Sequence, residues 1–591
     1  MPPVIPDLPL PTLTVAPTLS QAIGELAEVS DYGFVFVRPD GTEVSYPFTQ
    51  VHAEAVKRGS YLVSLGMKKG DRLAMVVPDG DEFVLSFLGA AYVGIVPVPI
   101  YPQLSFKNIE TYHDTVAHIV RASGAKRLLT TASTREFVEP VRTKVDTLEA
   151  IFTVDEFASS TAPEAKPDVL PDDLCFLQFT SGSTSRPKGV AVTHGNLAYN
   201  TNAFMGEGLQ MASGRDKGVT WLPLFHDMGL IGFVLGPVFS KIPIVFIPTP
   251  TFVRTPRLWL EKIHQHRGTV TYAPNFAYAL VAKRVKEKDV KGLDLSCIRA
   301  AGCGAEPIQP KTLREFASKL ADAKFDARAF LPCYGMAEGT LAITFTKLRS
   351  GMTTDSVDSK ALTAREAKKS EGLGSQELVN CGKPFEGHAI AIVDDDGKQL
   401  GDRQVGQILA RGPSVCAGYF NEPELSAAAF KDGWLYTGDL GYVVDGDVFI
   451  CGRVKDVIII RGRNFYPQDI EWAVSELPGI RRGNVVAFGV PVGADGNVAH
   501  DAANGEEHLV VCAEAHSSDA AGLVELISTA VTQAVGLATY KVEIVPQGAL
   551  PRTSSGKPQR RKTRQMFLDG TLPKARGVQS SEGEPVDVVS A

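Results

Sequence analysis

Phe179-Thr180-Ser181-Gly182-Ser183-Thr184-Ser185-Arg186-Pro187-Lys188-Gly189-Val190 concentrates hydroxyls, glycines and a lysine in one loop. It follows the apolar run Leu174-Cys175-Phe176-Leu177-Gln178-Phe179, which is short enough for a buried strand. Glycine lets the backbone approach an anion closely, hydroxyls and amides donate hydrogen bonds, and lysine brings a mobile positive charge. The loop is therefore suited to phosphate, although a flexible surface loop would share its composition. It is not a Walker A loop, because Pro187 stands where the second glycine belongs and Gly189 occupies the place of the magnesium-binding Ser or Thr.

Working outward, a chain of 591 residues is too long for one core, and at roughly 150 residues per domain it makes about four folding units. Hydrophobic content of 44% with 21% charged residues describes a soluble globular protein, and a net charge of -7 argues against a general nucleic-acid binder. The 8 cysteines form no Cys-x-x-Cys pair and no metal-ligand spacing with histidine, so reduced thiols in a cytoplasmic protein are expected. The start, Met1-Pro2-Pro3-Val4-Ile5-Pro6, lacks the marks of a secretion signal. The run from Met228 to Pro248 is broken by Gly236, Pro237, Lys241 and Pro243, which predicts a buried helix and strand and no stable membrane insertion.

Residues 1–18 are proline-rich and suit an extended arm. From about 19 to 172, helical stretches alternate with short apolar runs such as Arg72-Leu73-Ala74-Met75-Val76-Val77, a sign of parallel α/β layering. His194 reads as part of a structural turn. His226 and Asp227 could form a catalytic pair, but adjacent residues rarely point at one site. Thr271-Tyr272-Ala273-Pro274-Asn275-Phe276-Ala277-Tyr278 predicts a core helix entered through Pro274. At Ala300-Ala301-Gly302-Cys303-Gly304-Ala305-Glu306-Pro307 small residues would let a flat ring lie on the backbone, or make a simple turn. Residues 344–378 are polar and weakly patterned, hence either disordered or functional. Leu550-Pro551-Arg552-Thr553-Ser554-Ser555-Gly556-Lys557 opens a basic loop that could be a solvated surface.

Taken in order from about 92 to 560, these segments resemble the adenylate-forming superfamily of acyl-CoA synthetases, luciferases, adenylation domains and fatty acyl-AMP ligases. The resemblance implies a large α/β domain over 19–452, with layered subdomains and a β-barrel-like one. A hinge at 453–456, a small mobile α+β domain over 457–573 and a disordered tail over 574–591 would follow. It implies ATP and Mg2+ as cofactors. Thr180, Ser181, Gly182, Ser183, Thr184 and Lys188 would hold phosphate, and Gly302, Cys303, Gly304, Ala305 and Glu306 would face adenine. In Tyr334-Gly335-Met336-Ala337-Glu338 the tyrosine would pack on adenine and Glu338 would hold magnesium. Asp439 and Arg453 would bind ribose, Lys455 would be the hinge pivot, His226 would lie near the carboxylate, and Lys557 would be the adenylation lysine. Asn275, Phe276 and Tyr278 would flank an acyl channel.

Within the superfamily, the insertion at 344–378, Ala337, Arg461-Gly462-Arg463-Asn464 and the Pro274 segment are similar to fatty acyl-AMP ligases. That implies activation of a fatty acid to acyl-AMP and transfer to the phosphopantetheine thiol of an acyl carrier protein, or of a polyketide or peptide synthase. A fatty acyl-CoA synthetase is the alternative. A non-catalytic nucleotide-binding or acyl-binding module predicts loss of Lys557 or Glu338, and both are present. Arg481, Arg482, Arg560, Arg561 and Lys562 offer a basic surface for an acidic carrier.

Overall fold

The runs Ile244–Phe246 and Val270–Ala273 have no polar face, and every residue in both is buried, as strands covered on both sides by helices should be. They are central members of a nine-stranded sheet in the computed structural model. The model describes residues 8–102, 109–158, 160, 164–165, 168–180, 186–493, 498, 506–516, 521–553 and 557–575. The sheet's interior is parallel, in the order Phe330–Gly335, Ala300–Cys303, Val270–Ala273, Gly218–Thr220, Ile244–Phe246 and Gly33–Val37. Antiparallel strands close its edges at Glu43–Pro47 on one side and at Ala342–Phe345 with Lys383–Pro384 on the other. A second, four-stranded parallel sheet contains Val96–Pro99, Arg72–Met75, Arg127–Thr130 and Ala150–Thr153, which bears out the α/β layering.

Ligands of open parallel sheets bind beyond the carboxyl ends of the strands. Four candidate residues follow such ends: His226 after Gly218–Thr220, Asn275 after Val270–Ala273, Glu306 after Ala300–Cys303, and Glu338 after Phe330–Gly335. The sheet therefore gathers motifs that lie more than a hundred residues apart in the chain.

The stretch after His226 continues as α-helix Asp227–Leu230, π-helix Ile231–Leu235 and α-helix Gly236–Ser240, before strand Ile244–Phe246. Its apolar side chains are buried, as expected, and among the described residues no helix is long and apolar enough to cross a membrane. A second π-helical segment, Asn202–Gly208, also belongs to this part of the fold. Such wide turns are rare and cluster at functional sites.

Residues 344–378 are ordered rather than irregular. Strand Thr354–Asp358 pairs with Ser375–Val379, and helix Ser359–Thr363 is capped by Asp358, whose carboxylate accepts from the Ala361 amide at 2.7 Å. The polar residues that blur the sequence pattern are caps and ion-pair partners: Asp355 accepts from Tyr442 Oη at 2.8 Å and pairs with Arg403. The β-rich subdomain is an antiparallel sheet of Ala389–Val393, Gly406–Arg411, Trp434–Val444, Phe430–Lys431 and Asp447–Arg453.

After the hinge, strands Ile480–Val492, Glu506–Ala515 and Lys541–Val545 pack with helices Pro467–Ser475 and Ala521–Val535 around a separate apolar cluster. The joint with the large domain is polar. Gln376 donates to Asp469 at 2.7 Å, Asn464 donates to the Thr363 carbonyl at 3.2 Å, and Arg482 meets Glu315 at 3.1 Å. Lys311 also pairs with Glu476.

Candidate active site

The hairpin Leu174–Thr180 and Lys188–Thr193 sets Thr180 opposite Lys188, so the loop between them begins and ends at one point. Ser181, Gly182, Ser183 and Thr184 lie outside the described residues. The returning strand is held from outside the hairpin: the Phe420 amide donates to the Gly189 carbonyl at 2.8 Å, and the Ala191 amide to Gly418 at 3.2 Å. Between these bonds sits Tyr419, a residue the sequence reading does not single out. Its hydroxyl donates to Glu338 Oε1 at 2.8 Å, and the Lys188 ammonium rides 4.9 Å from its ring centroid. Burial first, and then the Glu338 charge, push the Tyr419 phenol well above its ordinary range and keep it a donor. One aromatic side chain thus joins Lys188 to Glu338. The only sequence signal is an aromatic pair, Tyr419-Phe420, beside Gly418.

His226 and Asp227 do meet, against the sequence expectation. The ring Nδ1 lies 2.5 Å from Asp227 Oδ1, because His226 is the extended residue capping helix Asp227–Leu230 and Asp227 is its first turn. The break from extended to helical backbone turns the two side chains together. Burial pushes the Asp227 carboxyl up, but His226, Lys557 and the Met228 amide outweigh it and hold the group below its usual range.

The small domain contributes Lys557. Its amide donates to Thr553 Oγ1 at 3.0 Å, and the Thr553 amide donates to its carbonyl at 2.8 Å, which stiffens the loop. Burial, and to a lesser degree Arg453, lowers the Lys557 pKa against the opposing pull of Glu306, Asp227 and Asp439 in the large domain. The Lys557 charge is thus coupled to charged groups of the large domain. Glu306 itself is pushed up by burial, and its Oε1 accepts from the Phe276 amide at 2.7 Å. It secures the start of helix Asn275–Arg284.

In the glycine cluster a Cβ at Gly302 would fall 1.9 Å from Tyr272 Cε1, and one at Gly304 would fall 2.8 Å from Cys333 Sγ, so close packing against these side chains requires glycine at both positions. Cys303 is fully buried in the strand, whereas Ala305 is exposed and holds φ at +67°, a strained value for a residue with a Cβ. Gly335 sits at a bulge where a Cβ would strike the Leu341 carbonyl, and Ala337 is buried, while Met336 borders the core.

Tyr334 donates to Asp439 Oδ2 at 2.8 Å, and Arg453 Nε donates to Asp439 Oδ1 at 3.0 Å. Each carboxylate oxygen keeps a lone pair beyond these bonds, so the arrangement still suits a vicinal diol. Beyond Arg453 the Val454 amide donates to the Gly438 carbonyl at 2.9 Å, and Arg560 grips Asp456 and Glu471 at 3.1 and 2.6 Å. Burial, then Arg561 and Lys188, lower the pKa of Lys455. The proposed basic surface is corrected here. Arg481 pairs with Glu514, Arg482 with Glu315 and Glu476, and Arg560 with the hinge, so three of its five members neutralise the protein's own carboxylates.

The large domain also holds an apolar cavity of about 40 Å³, bordered by Phe204, Gly218, Met228, Gly232, Phe233 and Tyr272 among others. Asn275, Phe276 and Tyr278 do not border it. Tyr278 is fully buried with its hydroxyl on the Gly302 carbonyl at 2.7 Å, and Asn275 accepts from the Gln309 amide at 3.1 Å. These are core and helix-anchoring roles. The cavity residues come from six separate stretches and carry no motif.

Among the described residues no cluster of three or more His, Cys, Asp or Glu could hold a metal ion alone. A lone carboxylate does fit magnesium carried on substrate phosphates, since that ion keeps most of its waters and takes one or two protein carboxylates. Glu338 retains one oxygen beyond its Tyr419 bond and meets that requirement.

Residues 29–420 match the family model described as AMP-binding enzyme. A putative acyl-CoA synthetase of Caulobacter vibrioides is 36% identical, over 94% of this chain and 96% of its own. A medium-chain-fatty-acid–[acyl-carrier-protein] ligase of Moorena producens is 33% identical over 85% and 87%. A solved structure from work on fatty acyl-adenylate ligases of E. coli and L. pneumophila superposes with a TM-score of 0.86 at 33% identity, covering 94% of this chain and 98% of that one. With a lysine from one domain set against carboxylates of the other, and with these relatives along nearly its whole length, the chain belongs to the AMP-binding enzymes, the adenylate-forming superfamily that includes the fatty acyl-AMP ligases.

Proposed function

We propose that the protein activates a fatty acid with ATP, releasing pyrophosphate, and passes the acyl group from acyl-AMP to the phosphopantetheine thiol of a carrier protein. The observation that carries this reading is Lys557 of the small domain, whose charge is coupled to Glu306, Asp227 and Asp439 of the large one, together with an apolar cavity bordered by Met228, two residues after His226.

A carboxylate oxygen attacks the α-phosphorus of ATP, the bond to the β-phosphate oxygen breaks, and pyrophosphate leaves. Both partners are anions, so the site must supply positive charge and a fixed line of attack. Lys557 bridges the attacking carboxylate and the α-phosphate, while Lys188, held over Tyr419, steadies the departing phosphates. Magnesium, when bound, neutralises phosphate charge, and Glu338 is the residue that would hold it. No general base is required, because a fatty acid is already ionised near neutral pH. His226, oriented by Asp227, lies beside the incoming carboxylate. The chain then runs into the cavity, where Met205, Met211 and Met228 adapt to it by changing rotamer.

Transfer needs the thiol to reach the same carbonyl, so Lys557 withdraws by rotation of the small domain about Lys455. The polar joint suits such a motion, because hydrogen bonds and ion pairs exchange readily for water. Within the insertion at 344–378, Gln376 donates to Asp469 of the small domain; by bracing that domain the insertion would favour a carrier protein over free CoA as acceptor.

The test incubates the protein with labelled dodecanoate, magnesium and ATP, then adds CoA or a holo carrier protein. Dodecanoyl-AMP that persists with CoA but is discharged to the carrier supports the proposal. Efficient dodecanoyl-CoA formation selects an acyl-CoA synthetase instead, the name borne by the C. vibrioides relative.

A further inference from the structure

Between Pro413 and Phe420 the chain is fastened on one side to the phosphate-loop hairpin and on the other to the turn that bears Glu338. Asn196, in the helix after the hairpin, donates to the Pro413 carbonyl at 2.9 Å, and Tyr419 is paired with Val190 of the returning strand. Toward the turn, the Thr340 hydroxyl donates to the Ser414 carbonyl at 2.6 Å, and the Cys416 amide donates to the Glu338 carbonyl at 2.9 Å. Thr340 closes that turn at φ +67°, a value a β-branched residue holds only where its surroundings impose it. The Tyr419 hydroxyl completes the set on Glu338 Oε1 at 2.8 Å, so one segment grips Glu338 by backbone and by side chain. Tyr419 is itself held: its amide donates to Ser426 Oγ at 2.9 Å, and its ring meets Phe430 edge-on at a centroid distance of 5.8 Å.

Lys188 and Glu338 carry opposite charges and both touch this one side chain, yet they form no ion pair with each other among the described residues. Direct contact would cancel the charges that phosphate and magnesium require. A cation over an aromatic face keeps its full charge, and a carboxylate that accepts from a neutral phenol keeps its charge and a free oxygen. If position 419 served packing alone, phenylalanine would fill it, and the Glu338 side chain would lose the bond that orients it.

We propose that Tyr419 is a positioning residue for the bound nucleotide: its ring holds Lys188 for the phosphates, its hydroxyl aims Glu338 at their magnesium, and its bulk keeps the two charges from pairing. The inference rests on the proposed function, which assigns Lys188 to phosphate and Glu338 to magnesium.

Two variants separate the parts of this role. Y419F keeps the ring and loses the hydroxyl, whereas Y419L loses both. The experiment measures binding of α,β-methylene-ATP, whose α–β bridge does not break, by calorimetry in magnesium and in EDTA, with thermal melting as the check on folding. In Y419F the affinity should fall roughly 10-fold in magnesium, the scale of a hydrogen bond to a charged group, and stay within about twofold of wild type in EDTA. In Y419L it should fall at least as far in magnesium and also about threefold in EDTA, because Lys188 is then released to pair with Glu338. A tyrosine that only shapes the site would lower both affinities together. Y419F binding that matches wild type in magnesium, or that is weakened equally in both solutions, overturns the inference, and Y419L binding that matches Y419F in EDTA overturns the part assigned to the ring. If wild type binds the analogue in neither solution, the proposed function itself fails and takes this inference with it.

Discussion

The mouth of the site and the cavity behind it are built on opposite principles. At the mouth, charges from two domains face one another: Lys557 from one, and Glu306, Asp227 and Asp439 from the other. The cavity is made by the large domain alone, from apolar side chains on packed strands and π-helical turns. A charged arrangement can be taken apart and rebuilt in water at little cost, whereas a close-packed apolar wall cannot. On the proposed function, the chemistry would then rest on parts that separate and the choice of acyl chain on parts that stay.

The largest predicted effect breaks the mouth. Lys557→Ala removes the cation aimed at developing phosphate charge, and adenylation should fall on the order of 10²–10³-fold. Transfer from synthetic dodecanoyl-AMP to a carrier should fall far less. Equal loss in both half-reactions would mean that the mouth does not come apart between them.

Next comes the cavity. A Cβ at Gly232 would meet only Leu341 Cδ2, at 3.6 Å, so a larger side chain can enter there without striking backbone. Gly232→Leu should reduce kcat/KM for dodecanoate roughly 10- to 100-fold and spare hexanoate, since each methylene excluded from an apolar site is worth on the order of tenfold or more. A uniform loss across chain lengths would detach the cavity from acyl selection.

These two regions were not equally legible in the sequence. The mouth was, because phosphate, carboxylate and ribose chemistry each call for particular residue types in short runs, and the parallel sheet collects those runs at its strand ends. Even there, Tyr419 was invisible: its role depends on a strand 230 residues away, and no local pattern marks it. The His226–Asp227 contact was misjudged because a cap geometry, absent from any spacing rule, turns neighbours toward each other. The cavity had no motif at all. Asn275, Phe276 and Tyr278 form a helix start with aromatic residues, yet packing sends Tyr278 into the core, and the cavity is lined by aromatic, aliphatic, methionine and glycine residues scattered from 204 to 345. Apolar surface carries little positional information, since many residues serve equally.

A smaller effect sharpens the electrostatic side of the comparison. Lys557 has its pKa lowered by burial and raised by Glu306, so Glu306→Gln removes a charge that keeps it protonated while leaving an oxygen for the Phe276 amide. A protonated Lys557 is the active form, so activity falls as pH rises through its pKa. In E306Q that alkaline limb should move to lower pH, and a limb that stays in place or moves upward would show that Glu306 does not act on Lys557.

The smallest effect concerns the joint that lets the mouth open. Arg482 of the small domain meets Glu315 at 3.1 Å, and Lys311 beside Glu315 pairs with Glu476 of the small domain, so two ion pairs cross the boundary. Pairs this exposed are each worth roughly 0.2–1 kcal/mol, enough to bias a domain equilibrium but not to lock it. Arg482→Ala also frees Glu476, which it holds at 2.6 Å, and so leaves Lys311 as that carboxylate's remaining partner. The variant should therefore change the ratio of adenylation to transfer rates by only about two- to fivefold, in favour of transfer. Added salt should produce the same change in the wild type and little more in the variant, because ions screen exposed pairs over roughly 8–10 Å. If the ratio in R482A remains as salt-dependent as in the wild type, the boundary is held by something other than these charges, and the hydrogen bonds of Gln376 and Asn464 become the place to look.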